Sequence, residues 1–225
     1  MLGGTLAKYG SPYSLDDFET LNHRRYLCPV CGSVDRDRLH KLYVDRFLQP
    51  DAGVRRVLEF APTAPLSAYL RSRADFQYRT ADLMMAGVDD VVDITDMPMY
   101  ADGSFDFVIC SHILEHVSDD GRALKELYRI LAPGGRCIIM TPVAPEGSFD
   151  EDPAVTDEGE RWRRFAQGDH VRLYDRSTLC SRIRQSGFEV SALGASTFDE
   201  EAFTRHAIAP GSVLYIVHKP EADAV

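Results

Sequence analysis

Two acids stand at a spacing that suits a nucleotide-like ligand. Glu59 follows the apolar run Val57-Leu58, and Asp82 lies 23 residues further on. An acid at the C-terminal end of a strand in an open α/β sheet meets a ligand's hydroxyls or cation. Sheets that bind dinucleotides place a ribose-binding acid about 20 residues after the first glycine-rich turn, because one strand, one helix and one strand use that length. A second set of reactive groups is made of imidazoles: His112, Glu115, His116 and, much later, His170. Histidine titrates near neutrality, which makes His170 the first candidate general base and His112 the second. The same four residues carry donor types able to gather a metal ion. HILEH also spells H-x-x-E-H, a zinc-peptidase pattern, but that pattern belongs on a helix and needs a further ligand. A third feature, Cys28-Pro-Val-Cys31-Gly32, is half of a zinc knuckle. Tetrahedral zinc needs four ligands; His23 and His40, or the same pair from a second copy in a homodimer, are the donors available. Arg24, Arg36 and Arg38 crowd this turn. Their guanidinium forks suit an anion or carboxylate, and Arg172 with Tyr174 is placed to orient an anionic or hydroxylated substrate.

The chain that must position these groups has 225 residues, a net charge of −10, 44% hydrophobic residues and five cysteines. Such a length holds one large domain, or one domain with a small appendage. The negative charge disfavours broad binding to nucleic acid or to an anionic membrane. The sequence has no apolar run of about 18 residues, the length a membrane span requires. The N-terminus lacks a signal peptide's basic and apolar regions, and an odd cysteine count fits a reducing compartment, so the expected location is cytoplasmic.

Arg55 to Phe60 reads as a buried strand, closed by Pro62 and Pro65, with Leu66, Tyr69 and Leu70 at helical spacing. A helix is expected over His40 to Gln49, ended by Pro50-Asp51-Ala52-Gly53. Further strands are expected over 75–83, 88–96, 104–111 and 136–143. Ser118, with Asp119 and Asp120 in the first turn, reads as the cap of a helix whose apolar face is Leu124, Leu127, Ile130 and Leu131, stopped by Pro133-Gly134-Gly135. The polar stretch 145–168 is too long for a plain connection. A helix from Ser177 ends at Gly187, and 188–193 with 212–218 read as a closing antiparallel pair. The expectation is an α/β fold: a Rossmann-like, seven-stranded, mostly parallel sheet with helices on both faces and an antiparallel C-terminal strand. Residues 1–50 form an N-terminal cap with the CxxC turn. Residues 51–225 form the main domain, with 145–174 inserted as a lid.

The string SFDFVICSHILEHV, followed by ALKELYRILAPGGRCIIMTPV, resembles the central segment of class I S-adenosylmethionine (SAM) methyltransferases of the methyltransferase-11 type. RRVLEFAPTAPLSAY resembles their first motif, with Ala61, Thr63 and Pro65 where glycines usually stand. E-D-P…T-D…E-R…D-H-V-R-x-Y resembles a subgroup that also carries an N-terminal C-P-x-C-G-S. The resemblance implies SAM as cofactor, held by Glu59, Phe60 and Ala61 at the first turn, by Asp82 and Leu83 at the ribose, by Asp93 and Ile94 at the adenine, and by Ser111 beyond the fourth strand. Zinc on Cys28 and Cys31 is a second expected ligand. The implied activity is O- or N-methylation of a small molecule, an in-line displacement in which the protein mainly aligns donor and acceptor. The altered first turn leaves two alternatives: a SAM-fold protein that binds another ligand or acts as a silent partner, and a zinc-knuckle interaction module.

Overall fold

The computed structural model of the chain describes residues 2–48 and 53–221. The turn expected at Pro50 and Asp51 lies outside the described residues. A short helix, α1 (Leu2–Lys8), and two single turns, Leu15–Asp17 and His23–Arg25, precede α2 (Asp35–Phe47). Periodicity alone starts that helix at His40. It starts earlier because Asp37 turns back and accepts the Val34 N–H at 3.0 Å, satisfying a donor of the first turn. Then come β1 (Arg55–Phe60), α3 (Ala64–Arg71), β2 (Phe76–Asp82), β3 (Asp90–Val91), β4 (Phe105–Ser111), α4 (Asp120–Ile130) and β5 (Leu131–Met140). The second half holds β6 (Val143–Ala144), β7 (Asp150–Glu151), α5 (Glu158–Phe165), β8 (Arg172–Asp175), α6 (Arg176–Gln185), β9 (Glu189–Leu193), α7 (Ala195–Phe198), α8 (Glu200–Arg205) and β10 (Leu214–His218).

Seven strands form one sheet in the order β3-β2-β1-β4-β5-β10-β9. The pairs from β3 through β5 are parallel, and β10 runs antiparallel to both β5 and β9. This is the expected α/β architecture. Parallel sheets need cover on both faces, and the alternation along β1 shows how they get it. Leu58 and Phe60 join one core with Leu124 and Leu127 of α4 and Leu179 and Ile183 of α6. Val57 faces the other way, into a core with Leu39, Tyr43 and Val44 of α2, Leu66 and Leu70 of α3, and Phe198 and Phe203. Each such buried apolar side chain is worth about 1.5–3 kcal/mol, so α2 is docked firmly as part of the sheet's helical layer.

Pro133-Gly134-Gly135 acts inside a strand and not as a helix stop. Helix α4 ends at Ile130, Leu131 pairs with Phe105, and the register shifts before Arg136 pairs with Phe107. A side chain at Gly135 would place its Cβ 2.7 Å from the Ala132 carbonyl oxygen, so the bulge needs glycine. Two caps also fall elsewhere than expected: Asp119 caps α4 and Asp175 caps α6, each accepting a backbone N–H at 2.8 Å.

The stretch after β5 is folded. Strands β6, β8 and β7 form a small separate sheet, and α5 rests against the N-terminal segment, where Trp162 stacks on Tyr9 at 6.1 Å. Phe165 and Leu173 of the insert pack with Tyr13 and Phe18 in a third apolar cluster. Among the described residues, no helix is long and apolar enough to cross a membrane.

Candidate functional site

A cavity of about 690 Å³ opens at the C-terminal ends of β4 and β5. His112 and Pro142, just beyond those strands, form its base. Leu6, Phe18 and Tyr26 of the N-terminal segment line one side and His170 of the insert lines another. A smaller cleft of about 300 Å³, beside Arg136 and Gly134, lies at the opposite end of the sheet. Ligands of open parallel sheets bind beyond the C-terminal ends of the strands, so the larger cavity is the one in the right place.

The turn after β1 keeps the path of a glycine turn without the glycine. Ala61 sits at φ 48°, in the left-handed region, which costs an L-residue about 1–2 kcal/mol. Glu59 does not face the cavity. It is buried on the α2–α3 side of the sheet, where its carboxylate accepts the Ser67 hydroxyl at 3.0 Å and the Tyr78 hydroxyl. Burial pushes its pKa up to about 7, against the pull of those two hydrogen bonds. Phe60 is likewise buried in the core. At the end of β2, Asp82 Oδ1 accepts the N–H groups of Met84 and Met85, both at 2.7 Å, and Leu83 is exposed. Asp93 Oδ1 accepts from the Thr95 N–H and hydroxyl, while Ile94 is packed into the core rather than left as a free platform.

The buried polar atoms without partners fit SAM. They include Thr63 Oγ1, Ser111 Oγ, Thr141 Oγ1 and both ring nitrogens of His40. Thr63 precedes α3, Ser111 ends β4 and Thr141 follows β5. Buried polar groups are normally satisfied, and at this edge the ammonium and carboxylate of a methionine moiety would supply the missing donors and acceptors. Burial holds His40 far below its ordinary range, at about 3, so it is a neutral imidazole. Ser111 was legible in the sequence as the end of a strand. Thr141 holds the matching place after the next strand, and that is the signal the sequence offers for it.

Beyond β4 the histidines converge. His112 adopts φ 58° and donates its N–H to the Met140 carbonyl at 2.7 Å. Its Nδ1 lies 3.2 Å from Glu115 Oε1, close enough for an ion pair but not aligned as a hydrogen bond. Glu115 is fully buried. Burial opposes its charge, but His112, His170 and His116 outweigh that and bring its pKa down to about 2. The rings of His116 and His170 meet edge to face at 4.7 Å. His170 Nδ1 lies 3.0 Å from the Phe165 carbonyl, to which it donates, leaving the other nitrogen with its lone pair. Burial lowers the pKa of His170 and favours that neutral form.

Other expected residues are used elsewhere. Arg172 is completely buried and donates to the carbonyls of Leu114, Val117 and Ser118 and to Glu151. Tyr174 is buried and bonded to Asp120. Both side chains hold the insert to the β4–α4 junction, and this architectural use replaces the substrate contact expected of them. Arg38 is likewise committed, donating to five backbone carbonyls, whereas Arg36 lines the cavity and donates to the Tyr26 hydroxyl at 3.0 Å. Cys28 and Cys31 are free thiols. Hydrogen bonds from the Cys31 and Val30 backbone lower the Cys28 pKa. Among the described residues, neither cysteine joins a group of three metal-ligating side chains. His23 is paired with Asp16 at 2.8 Å and His40 is sealed in the core, so the expected zinc ligands do not assemble.

A family model described as a methyltransferase domain matches residues 34–193, from α2 through β9 and beginning after the cysteine turn. The chain is 36% identical over 129 residues to a demethylmenaquinone methyltransferase of Clavibacter sepedonicus, covering 50% of this chain and 52% of that protein. It is 31% identical over 105 residues to the ubiquinone/menaquinone biosynthesis C-methyltransferase UbiE of Pseudoalteromonas translucida, covering 40% and 41%. The match thus spans about half the length of these relatives or less. Among solved structures, the (4+2)-cyclase SpnF superposes with a TM-score of 0.58 at 18% identity, covering 98% of this chain and 92% of the other. The CurJ carbon methyltransferase gives 0.57 at 15% identity, covering 88% and 57%. These last two show the shared fold alone. With the matched family model spanning six of the seven strands of the sheet and the cavity base, the chain belongs to the class I SAM-dependent methyltransferase family.

Proposed function

We propose that this chain transfers the methyl group of SAM to a small molecule held in the 690 Å³ cavity. The observation that carries the proposal is the meeting, at one sheet edge, of unpartnered polar groups suited to SAM and a separate cavity lined by His112 and His170. SAM lies across the ends of β1, β2 and β4, with Asp82 at the ribose and Asp93 toward the adenine. The acceptor lies beneath the N-terminal segment and the insert. Its attacking atom bonds to the methyl carbon as the carbon–sulfur bond breaks, leaving S-adenosylhomocysteine. An oxygen or nitrogen acceptor must also lose a proton, and the pair His112 and His170 receives it. The two relatives named above carry menaquinone and ubiquinone in their names, so quinol precursors join phenols and amines as acceptors to try.

Calorimetry with SAM and S-adenosylhomocysteine, followed by methyl-labelled SAM with those acceptors, tests the proposal. Replacing both His112 and His170 with Ala is expected to lower turnover roughly 100- to 10,000-fold while SAM still binds. No SAM binding would overturn the proposal. SAM binding without transfer to any acceptor would favour the reading of a SAM-fold protein with another activity, which the non-glycine turn at Ala61 also suits.

A further inference from the structure

Glu115 presents a problem that methyl transfer does not solve. Its side chain is 1% exposed, and neither carboxylate oxygen has a hydrogen-bond donor. An ionised carboxylate so placed costs several kcal/mol unless a positive group compensates it. Glu115, His116 and His170 each offer a ligand atom, and these atoms all lie within 4.8 Å of one another. One nitrogen of each imidazole already has a polar neighbour. His170 gives Nδ1–H to the Phe165 carbonyl at 3.0 Å, and His116 Nδ1 lies 3.5 Å from Asp169 Oδ2. Each ring therefore keeps its second nitrogen for something else. Metal-bound histidines are held in this manner, with the far N–H given to a carbonyl or carboxylate that fixes the tautomer.

We propose that Glu115, His116 and His170 bind a divalent first-row transition-metal ion beside the cavity. Two imidazoles and one carboxylate are borderline nitrogen and oxygen donors, the set that suits such ions better than magnesium or calcium. Three protein ligands leave at least one position open, and His170 lines the cavity, so that position is reachable by a small molecule. The ligands come from two places: Glu115 and His116 follow β4, and His170 belongs to the insert. An ion bridging them fastens the insert to the sheet and thereby shapes one side of the acceptor cavity. It also divides the histidine pair of the proposed function, leaving His112 for the proton and giving His170 to the ion. The binding claim itself does not depend on methyl transfer.

The test uses the untagged 225-residue chain, stripped with a chelator and titrated with Co²⁺, whose visible absorption reports nitrogen and oxygen ligation. One saturable equivalent per chain is expected, with a rise in melting temperature because only the folded chain assembles the site. Asp169→Asn, which removes the carboxylate charge 3.5 Å from His116 Nδ1, should weaken Co²⁺ roughly 10-fold. Glu115→Gln, nearly identical in shape, should weaken it more, and circular dichroism confirms that the variant is folded. The Cys28→Ser/Cys31→Ser double variant should bind Co²⁺ as the parent does. No saturable cobalt signal in the parent would overturn the proposal. So would a signal that survives Glu115→Gln and disappears with the two cysteines. Metal binding without methyl transfer would sink the proposed function and leave this site standing; methyl transfer with no metal would do the reverse.

Discussion

Glu59 and Glu115 lie at or just beyond the C-terminal ends of neighbouring parallel strands, and both are sealed from water, at 2% and 0% exposure. Glu59 has what a buried carboxylate normally wants, hydroxyl donors from Ser67 and Tyr78, yet burial carries its pKa up to about 7. Glu115 has no aligned donor, yet burial is overcome and its pKa falls to about 2. The difference lies in the charge type of the neighbours. Burial favours the protonated form of Glu59, and its neutral hydroxyl partners pull the other way too weakly to offset that, with Asp37 nearby adding to the rise. Glu115 is ringed by three imidazoles, which favour its ionised form. Donor count alone would order the two glutamates the wrong way round. The lesson for function is that Glu59 completes a turn and Glu115 faces reactive groups.

The largest effect expected from this contrast is on stability. Glu59 has a folded pKa of about 7 against an ordinary value of 4.5. Below pH 4.5 both states hold the proton and the site adds no pH dependence. Between 4.5 and 7 the unfolded chain releases its proton first, so stability falls as pH rises, and above 7 the loss levels off at about 3 kcal/mol. Glu59→Gln should remove that slope. Denaturant melts at pH 5 and pH 8 check it, and equal slopes in parent and variant would end the assignment of Glu59 as a protonated structural group.

Next is turnover. Glu115→Gln should lower it by roughly 10- to 100-fold, the usual cost of losing a group that holds a catalytic centre in place, whereas Glu59→Gln should leave the rate per folded molecule unchanged. Equal losses in both variants would erase the distinction drawn here.

A smaller effect is expected at the cofactor. Removing the Asp82 carboxylate deletes charge-assisted hydrogen bonds worth roughly 1.5–3 kcal/mol, so Asp82→Ala should weaken SAM about tenfold or more. Unchanged affinity by calorimetry would move the ribose elsewhere. The smallest effect belongs to the turn beside Glu59. Ala61→Gly relieves a left-handed alanine and should stabilise the fold by up to about 1 kcal/mol; a lower melting temperature would mean that the turn does not depend on that conformation.

The sequence by itself determined the sheet. Apolar runs of strand length, alternating with helical spacing, allow little but a parallel sheet covered on both sides, and the chain from β1 through β5 folds that way. It also determined which positions end strands, and so placed Asp82, Ser111 and His112 at the ligand edge. What periodicity could not show is the direction of a polar side chain once its backbone is placed. Glu59 and Val57 share one face of β1 because they are two residues apart, but only the packing of α3 and β2 shows that Ser67 and Tyr78 take up the carboxylate. Arg172 and Tyr174 looked available because a basic and a hydroxylated residue follow a polar insert. They are buried because β8 joins a small sheet formed with residues well upstream, and that pairing sets their neighbours. The meeting of Glu115 and His116 with His170 has the same origin. Residues so far apart in the chain become neighbours only when long-range pairing closes the loop between them, and local spacing carries no record of that closure.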